Sequence, residues 1–562
     1  MSVGSLEMTA RDHTKVIERD FRDENLFIPE QLRSERWIAL ATLLISFLYL
    51  WLFRRYTWID PDEGIILQGA QRILDGQVLY RDFFSFFTPG SYYLLAICFR
   101  VFGDSIIVAH TLLAIFGAAC SPLTYLLARR VCSRSTSLLV TGLVLVTAFP
   151  MRFVSVHNWD STFLACVALY GSLRLVETRN AWWGFATGSF VCLTGLFEQS
   201  KGACLLLGIG AGLAIIAVLD RGPKILPKRN CIAAALGLAW PLIITIVYFA
   251  SEGALSAMAS SWLWPLENYT TANHVPYAYG NLTEKATRMI FAEGSLWERI
   301  IKVLVFSPTI WLPFLPWIAI AVLTVALFRF RRSPDEGSPA RYYILLSAAI
   351  AGLLLSVIVV RADYEHFVYL QPIFLLTLAW LLQGTLFRNK IFRHAGIIVA
   401  SALSMLLLLM GASLLFRVKA DQVIHTRRGN LTSRSKDELI EFVQANVAQG
   451  ERILVYPYQS SYYYLTGTYS PGRYEYYQPG LHTQEQVQEM LKELSQNPVR
   501  IVLYDPAFAE HARASWPNTP ASALINAPIA SYILQEYRPC RTLRSAIDWE
   551  FQAMVRKDLT CP

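Results

Sequence analysis

Apolar residues in this chain come in blocks long enough to cross a bilayer, and that spacing limits its fold more than any other feature. A membrane-spanning helix needs about 20 mostly apolar residues. Eleven such stretches lie at approximately 37–53, 106–128, 136–151, 161–176, 183–199, 202–219, 231–250, 301–328, 342–360, 367–387 and 394–416. Only 16% of the 562 residues are charged, against about 25% in an average soluble domain, and the mean hydropathy is +0.36. A string of soluble domains is excluded; a polytopic α-helical membrane protein is expected. Glu198, Gln199, Ser200 and Lys201 interrupt one long apolar run and predict a tight hairpin there.

The loop charges set an orientation. With the polar segment 1–36 as a cytoplasmic tail, the inner loops hold Arg129, Arg130 and Arg134; Arg174 and Arg179; Arg221, Lys224, Lys228 and Arg229; Arg329, Arg331, Arg332 and Arg341; and Arg388, Lys390 and Arg393. The short outer loops hold far fewer cations: Arg54, Arg55, Arg152, Lys201 and Arg361. This is the positive-inside asymmetry, and it accounts for the net charge of +8. No basic patch on a soluble module points to nucleic acid. The partners implied by composition are membrane lipids. No signal peptide precedes the first span.

Two outer loops are long, 54–105 and 251–300. Within the first, Pro89 to Phe102 is too short for a span and suits an interfacial or re-entrant helix. The second is crowded with Trp262, Trp264, Tyr269, Tyr277 and Tyr279, which suit an aromatic belt or a surface for stacking sugars. From Arg417 the composition turns soluble: helices over Lys436–Gln449 and Thr483–Ser495 alternate with strands over Arg452–Tyr456 and Val499–Tyr504. An α/β domain outside the membrane, residues 417–562, is expected. Cys540 and Cys561 share it; in an oxidising compartment they would be able to pair, and two separate buried thiols fit as well. Asn268, Asn281 and Asn430 each begin an N-x-Thr triplet.

Chemistry is concentrated just after the first span, where Asp60, Asp62 and Glu63 surround Pro61 at a predicted helix start. The same residues serve as a helix cap, and adjacent carboxylates at a membrane surface also suit a general base or a metal site. Their surroundings extend the pattern: Asp75, Gly76, Tyr80, Arg81, Asp82, Phe83, Pro89, Tyr92, Tyr93, Phe102 and Gly103 precede the second span, which ends in Tyr125, Arg129 and Arg130. This succession resembles the GT-C polyprenyl-phosphate-sugar glycosyltransferases, of the protein O-mannosyltransferase and lipid A aminoarabinose transferase superfamily and its bacterial relatives.

The resemblance implies a GT-C-like membrane domain over 37–416, with Asp62 and Glu63 matching the catalytic Asp-Glu pair of the first outer loop. It further implies an inverting transfer of a sugar from a polyprenyl-phosphate donor to an acceptor hydroxyl on a glycan, lipid or protein. The expected location is the outer face of a bacterial inner membrane. Asp62 would be the general base. Asp160 matches an Asp of the second outer loop that lines the site, and also fits an N-cap. Candidates for binding the donor phosphate are Arg81 first, then Lys201 and Arg361, because Thr88 replaces a Lys that relatives often carry before the proline matching Pro89. His366, beside Asp363 and Glu365, would contact the phosphate or hold a metal. No complete ligand set is visible, so no cofactor is assigned and a divalent metal is left open. The snorkelling of a charged side chain from a helix end explains Arg54, Arg55 and Arg361 equally well. The competing functions are a lipid-linked glycan flippase, a glycan polymerase or ligase, and a non-catalytic sensor. A transporter would place its charges in the bundle near the midplane. On this reading the membrane part would still bind donor after removal of residues 420–562.

Overall fold

The computed structural model describes residues 32–562, apart from 220–225, 270–272, 281–293, 333–338, 385–388 and 526. Most of the N-terminal tail, Arg221, Lys224, Arg388 and the Asn281 triplet lie outside the described residues. Helices start where the sequence supplies a cap: Ser105, Ser133, Asn180 and Asn389 each accept a backbone N–H of the first turn, satisfying groups that a helix end otherwise leaves unpaired.

Six described helices are long and apolar enough to cross a membrane: Ile106–Ala128, Arg134–Met151, Gln199–Leu219, Lys228–Ser251, Ala340–Val360 and Lys390–Lys419. A bent pair, Leu296–Phe314 with Trp317–Arg331, makes a seventh if it is one span. The chain is a multi-pass membrane protein. The remaining stretches expected to span are also helical but shorter or more polar: Leu32–Trp51, His157–Thr178, Ala181–Phe197 and Gln371–Gln383. Gly90–Phe102 is a 13-residue helix with Ile97, Val101 and Phe102 turned outward. The chain breaks at Glu198, and Gly195 and Gly202 meet across the break.

Small residues let the helix backbones touch. A methyl group on Gly188 would sit 2.1 Å from the carbonyl of Ala234, and one on Gly352 would sit 2.3 Å from that of Cys204. Such contacts hold membrane helices together where burial from water does not. Outward, the helix Lys228–Ser251 exposes Ile232, Leu236, Ile243, Ile244 and Val247, an apolar face that lipid would cover.

The C-terminal segment forms an antiparallel hairpin, β1 (Gln422–Thr426) with β2 (Gly429–Ser433), and a four-stranded sheet. The sheet contains β3 (Leu454–Tyr456), β4 (Ile501–Tyr504), β5 (Tyr537–Arg544) and β6 (Glu550–Arg556) in the order β3-β4-β6-β5, with only β3 and β4 parallel. The two expected helices appear as Glu438–Asn446, capped by Asp437, and Gln484–Gln496, closed by a Thr483–Gln486 capping box. A disulfide joins Cys540 to Cys561.

Two hydrophobic cores result. One lies among the membrane helices. The other is shared: Ile66, Tyr80 and Phe83 of the first outer loop pack with Phe249 and Met258, and with Leu439, Leu454, Tyr463 and Met554 of the C-terminal segment. Backbone bonds stitch these parts together, Thr57 N–H to Thr432 O at 2.9 Å, Thr432 N–H to Arg55 O at 2.7 Å and Phe84 N–H to Arg473 O at 2.9 Å. Segment 54–105 therefore shares its core with the C-terminal segment.

Candidate active site

The acidic helix Pro61–Leu74 begins at Asp60, whose Oδ1 accepts the N–H of Asp62 at 3.0 Å and of Glu63 at 3.4 Å. Asp60 Oδ2 accepts the Trp58 indole N–H at 3.0 Å. Capping thus falls to Asp60 and leaves the Asp62 carboxylate out of the helix end. Ile59 turns the chain into this helix at a φ of 57°, its N–H donated to Thr57 Oγ1 at 2.9 Å. A β-branched residue in the left-handed region costs on the order of 1–3 kcal/mol, and such strain persists where surrounding structure enforces it.

Asp62 keeps 45% of its side chain exposed although protein surrounds it. Its Oδ1 accepts the phenol O–H of Tyr458. Burial, then the charge of Asp60, push its pKa above the usual carboxylate value, against the pull of Arg152, the Tyr458 hydroxyl and His366.

Arg152 is the hub. Only 12% exposed, its guanidinium lies 3.0 Å from Asp60, 4.0 Å from Asp62 and 2.8 Å from Glu365, and donates from Nε to the Tyr369 hydroxyl at 3.1 Å. Burial opposes its charge, but Asp60, Glu365, Tyr369 and Asp62 together hold its pKa well above the ordinary arginine value. Glu365, 35% exposed, is pushed up to about 7 by burial; Arg152 pulls it down, while Asp363, Asp60 and Asp62 push it further up.

His366 belongs to the same cluster, close enough for its charge to act on Asp62. Its Nδ1 lies 2.6 Å from Asp363 Oδ1, and Asp363 is held in turn by Arg361, which also donates to Ser515 O and to Asn273 Oδ1 at 3.4 Å. Burial disfavours the imidazolium, but the charge and hydrogen bond of Asp363 outweigh it and raise the pKa. Among the described residues Nε2 has no partner. A carboxylate on one ring nitrogen fixes the orientation of the other.

The other expected residues fall in three places. Asp160 and Lys201 sit together at the N-terminal ends of His157–Thr178 and Gln199–Leu219. Asp160 is buried and accepts Ser91 Oγ–H at 2.6 Å. Lys201, 2% exposed, pairs with Glu198 at 2.8 Å and donates to Asn158 O, Ser161 Oγ and Thr162 Oγ1. All three ammonium protons therefore have acceptors. Glu63 turns inward: its Oε1 meets His110 Nε2 at 2.9 Å and accepts the Ser155 N–H at 2.6 Å, so it ties the acidic helix to the bundle. Arg81 stands apart, exposed and paired with Asp82 and Glu252.

No three His, Cys, Asp or Glu side chains among the described residues converge as metal ligands, and the Arg152 guanidinium fills the position between Asp60, Asp62 and Glu365. The divalent metal left open by the sequence has no ligand set there. Arg152 and Tyr458 were not foreseen. The usable signal for Arg152 was scarcity, as one of few outer-loop cations near three carboxylates; Tyr458 gave none.

Residues 88–249 match the family model of dolichyl-phosphate-mannose-protein mannosyltransferase. Among solved structures, ArnT from Cupriavidus metallidurans bound to undecaprenyl phosphate superposes with a TM-score of 0.53 at 14% identity, over 94% of this chain and 99% of that one. The chain has the GT-C glycosyltransferase fold. Two further GT-C proteins show weaker likeness. The archaeal oligosaccharyltransferase AglB from Archaeoglobus fulgidus, in complex with an inhibitory peptide and a dolichol-phosphate, gives 0.48 at 13% identity, over 94% of this chain and 75% of that one. Arabinofuranosyltransferase AftD from Mycobacteria gives 0.41 at 11%, over 93% and 40%. No curated protein sequence matches significantly. The GT-C likeness extends beyond the family match, which starts after Asp62 and ends before the C-terminal segment.

Proposed function

We propose that the chain transfers a sugar from a polyprenyl-phosphate donor to an acceptor hydroxyl at the extracytoplasmic membrane surface, with inversion and with Asp62 as general base. The observation that carries this reading is the division of labour at the acidic helix: Asp60 caps it, Glu63 anchors it, and of the three only Asp62 keeps its carboxylate partly exposed.

In the step itself the acceptor O–H donates to Asp62. Its oxygen bonds to the anomeric carbon as its proton passes to the carboxylate, and the bond from that carbon to the phosphate oxygen breaks, the electron pair leaving with the phosphate. General base catalysis of this kind typically supplies about 10²–10⁴-fold, and holding the reactants in line supplies more. The developing phosphate charge needs cationic donors aimed at it. Arg152 and the imidazolium of His366, each partly offset by its carboxylate partners, supply that charge together. Asp160 and Lys201 act through the order they impose on the helix ends that carry them, and Arg81 is too committed to Asp82 and Glu252 to serve.

The test is a panel of undecaprenyl-phosphate sugars given to the purified protein and to Asp62→Asn, with cell-envelope glycans compared with and without the gene to identify the acceptor. Transfer should disappear in the variant while yield and membrane insertion stay normal. Full transfer by Asp62→Asn would remove Asp62 as the base.

A further inference from the structure

The C-terminal segment does more than cover the acidic helix. From just after β3 to the first residue of the helix Ser461–Thr466, three of its side chains lie on the start of the acidic helix. Tyr458 O–H donates to Asp62 Oδ1, Ser460 Oγ–H to Pro61 O at 2.8 Å, and Ser461 Oγ–H to Asp60 O. Ser460 and Ser461 reach only backbone carbonyls. Tyr458 reaches the one carboxylate proposed to take a proton, and presents to it an O–H on a carbon skeleton, the same group that an acceptor alcohol must bring. Aromatic rings surround the phenol: Trp516 stands edge-on to it at 5.0 Å and Tyr476 at 6.1 Å. The segment bearing Trp516 is itself fastened beside Asp363 and His366, its Ser515 O accepting from Arg361 and its Ala514 O from the Tyr279 hydroxyl at 2.6 Å.

From this geometry we infer that Tyr458 occupies the acceptor-hydroxyl position on Asp62 in the resting protein, and that a carbohydrate acceptor reacts only by displacing it. This rests on Asp62 being the base. The apolar C–H face of a sugar suits the rings of Trp516 and Tyr476, so the C-terminal segment selects the acceptor while the bundle holds the donor. An occupied base also limits loss of donor to water, because a water molecule must displace the phenol as well.

Tyr458→Phe keeps the ring and removes the hydroxyl, and two measurements read the result. The first needs no donor: dicyclohexylcarbodiimide modifies protonated carboxyls near membranes, and mass spectrometry locates the adduct. The groups facing Asp62 are Asp60, Arg152, His366, Tyr458, Glu365 and Tyr369, and the adduct on Asp62 is read separately from any on Glu365. Loss of the Tyr458 hydrogen bond favours the protonated form and uncovers Oδ1, so labelling of Asp62 at fixed pH should rise roughly tenfold, the scale of one hydrogen bond to a charged group. Unchanged or slower labelling overturns the inference. The second is hydrolysis of undecaprenyl-phosphate mannose in the absence of acceptor, which should rise several-fold in Tyr458→Phe and vanish in Asp62→Asn. A purely structural Tyr458 would lower both readouts. If Asp62→Asn still turns over donor while Tyr458→Phe labels faster, the base assignment fails and the contact between Tyr458 and Asp62 stands.

Discussion

Replacing Arg152 by Gln removes the single cation that three carboxylates share, and the consequence for Asp62 can be worked from one distance. At 4.0 Å and an effective dielectric constant near 20, two unit charges interact by about 4 kcal/mol. Asp62 is 45% exposed, so solvent screens well over half of that and leaves about 1–2 kcal/mol, roughly one pKa unit. The sign follows from the role. A base must be deprotonated, Arg152 favours the deprotonated form, and its loss raises the Asp62 pKa further. The acid limb of the transfer-rate profile should therefore move about one unit toward higher pH. At a pH on that limb the variant should be about tenfold slower, recovering much of the difference as pH rises. The assay is the pH dependence of sugar transfer from the active undecaprenyl-phosphate donor, with Arg152→Lys as a partner that keeps the charge without bridging Asp60 and Glu365. An equal loss at every pH, with the acid limb unmoved, would refute electrostatic control of Asp62 and make Arg152 a packing residue.

Lys201 offers a second check, because it separates structure from donor binding. Lys201→Met leaves Glu198 buried without its cation, a loss of about 3–5 kcal/mol, so the melting temperature in detergent should drop, and Glu198→Gln added to it should recover part of the loss. A normal melting temperature with lost binding of undecaprenyl phosphate would instead make Lys201 a phosphate ligand. Truncation after Lys419 should yield aggregated protein even though every membrane helix is retained, since the first outer loop loses the partners of its core. A monodisperse truncated protein that binds undecaprenyl phosphate would contradict the shared core.

Much of the frame was readable from the chain alone, because membrane helices announce themselves by length and apolarity. The stretches at 106–128, 231–250 and 342–360 reappear nearly intact. The count of spans was less readable: His157–Thr178 carries polar residues along its length, and the run from 301 to 328 bends at its prolines. β5 was missed for a physical reason. Tyr537–Arg544 buries only two of its eight residues, Tyr537 and Leu543, and carries three arginines, so the alternation that marks a strand is absent. In the site, spacing brought out Asp60, Asp62 and Glu63 together but not their separate duties, which depend on which way each side chain turns from the first helical turn. Arg152, at the end of a span, looks like any anchor until Asp60 and Glu365 are brought against it. Tyr458 comes from nearly 400 residues further along, and no local pattern announces such a contact.

The divided core also has a consequence for how the protein is made. A ribosome adding about 5–20 residues each second needs tens of seconds to travel from residue 105 to residue 417. Throughout that interval Tyr80, Phe83, Phe84 and Tyr92 wait with the Leu454, Tyr463 and Met554 they will pack against still unsynthesised. A nascent loop so rich in unpartnered rings is a natural client for a chaperone beside the translocation channel, and slow translation of the later spans would prolong its need.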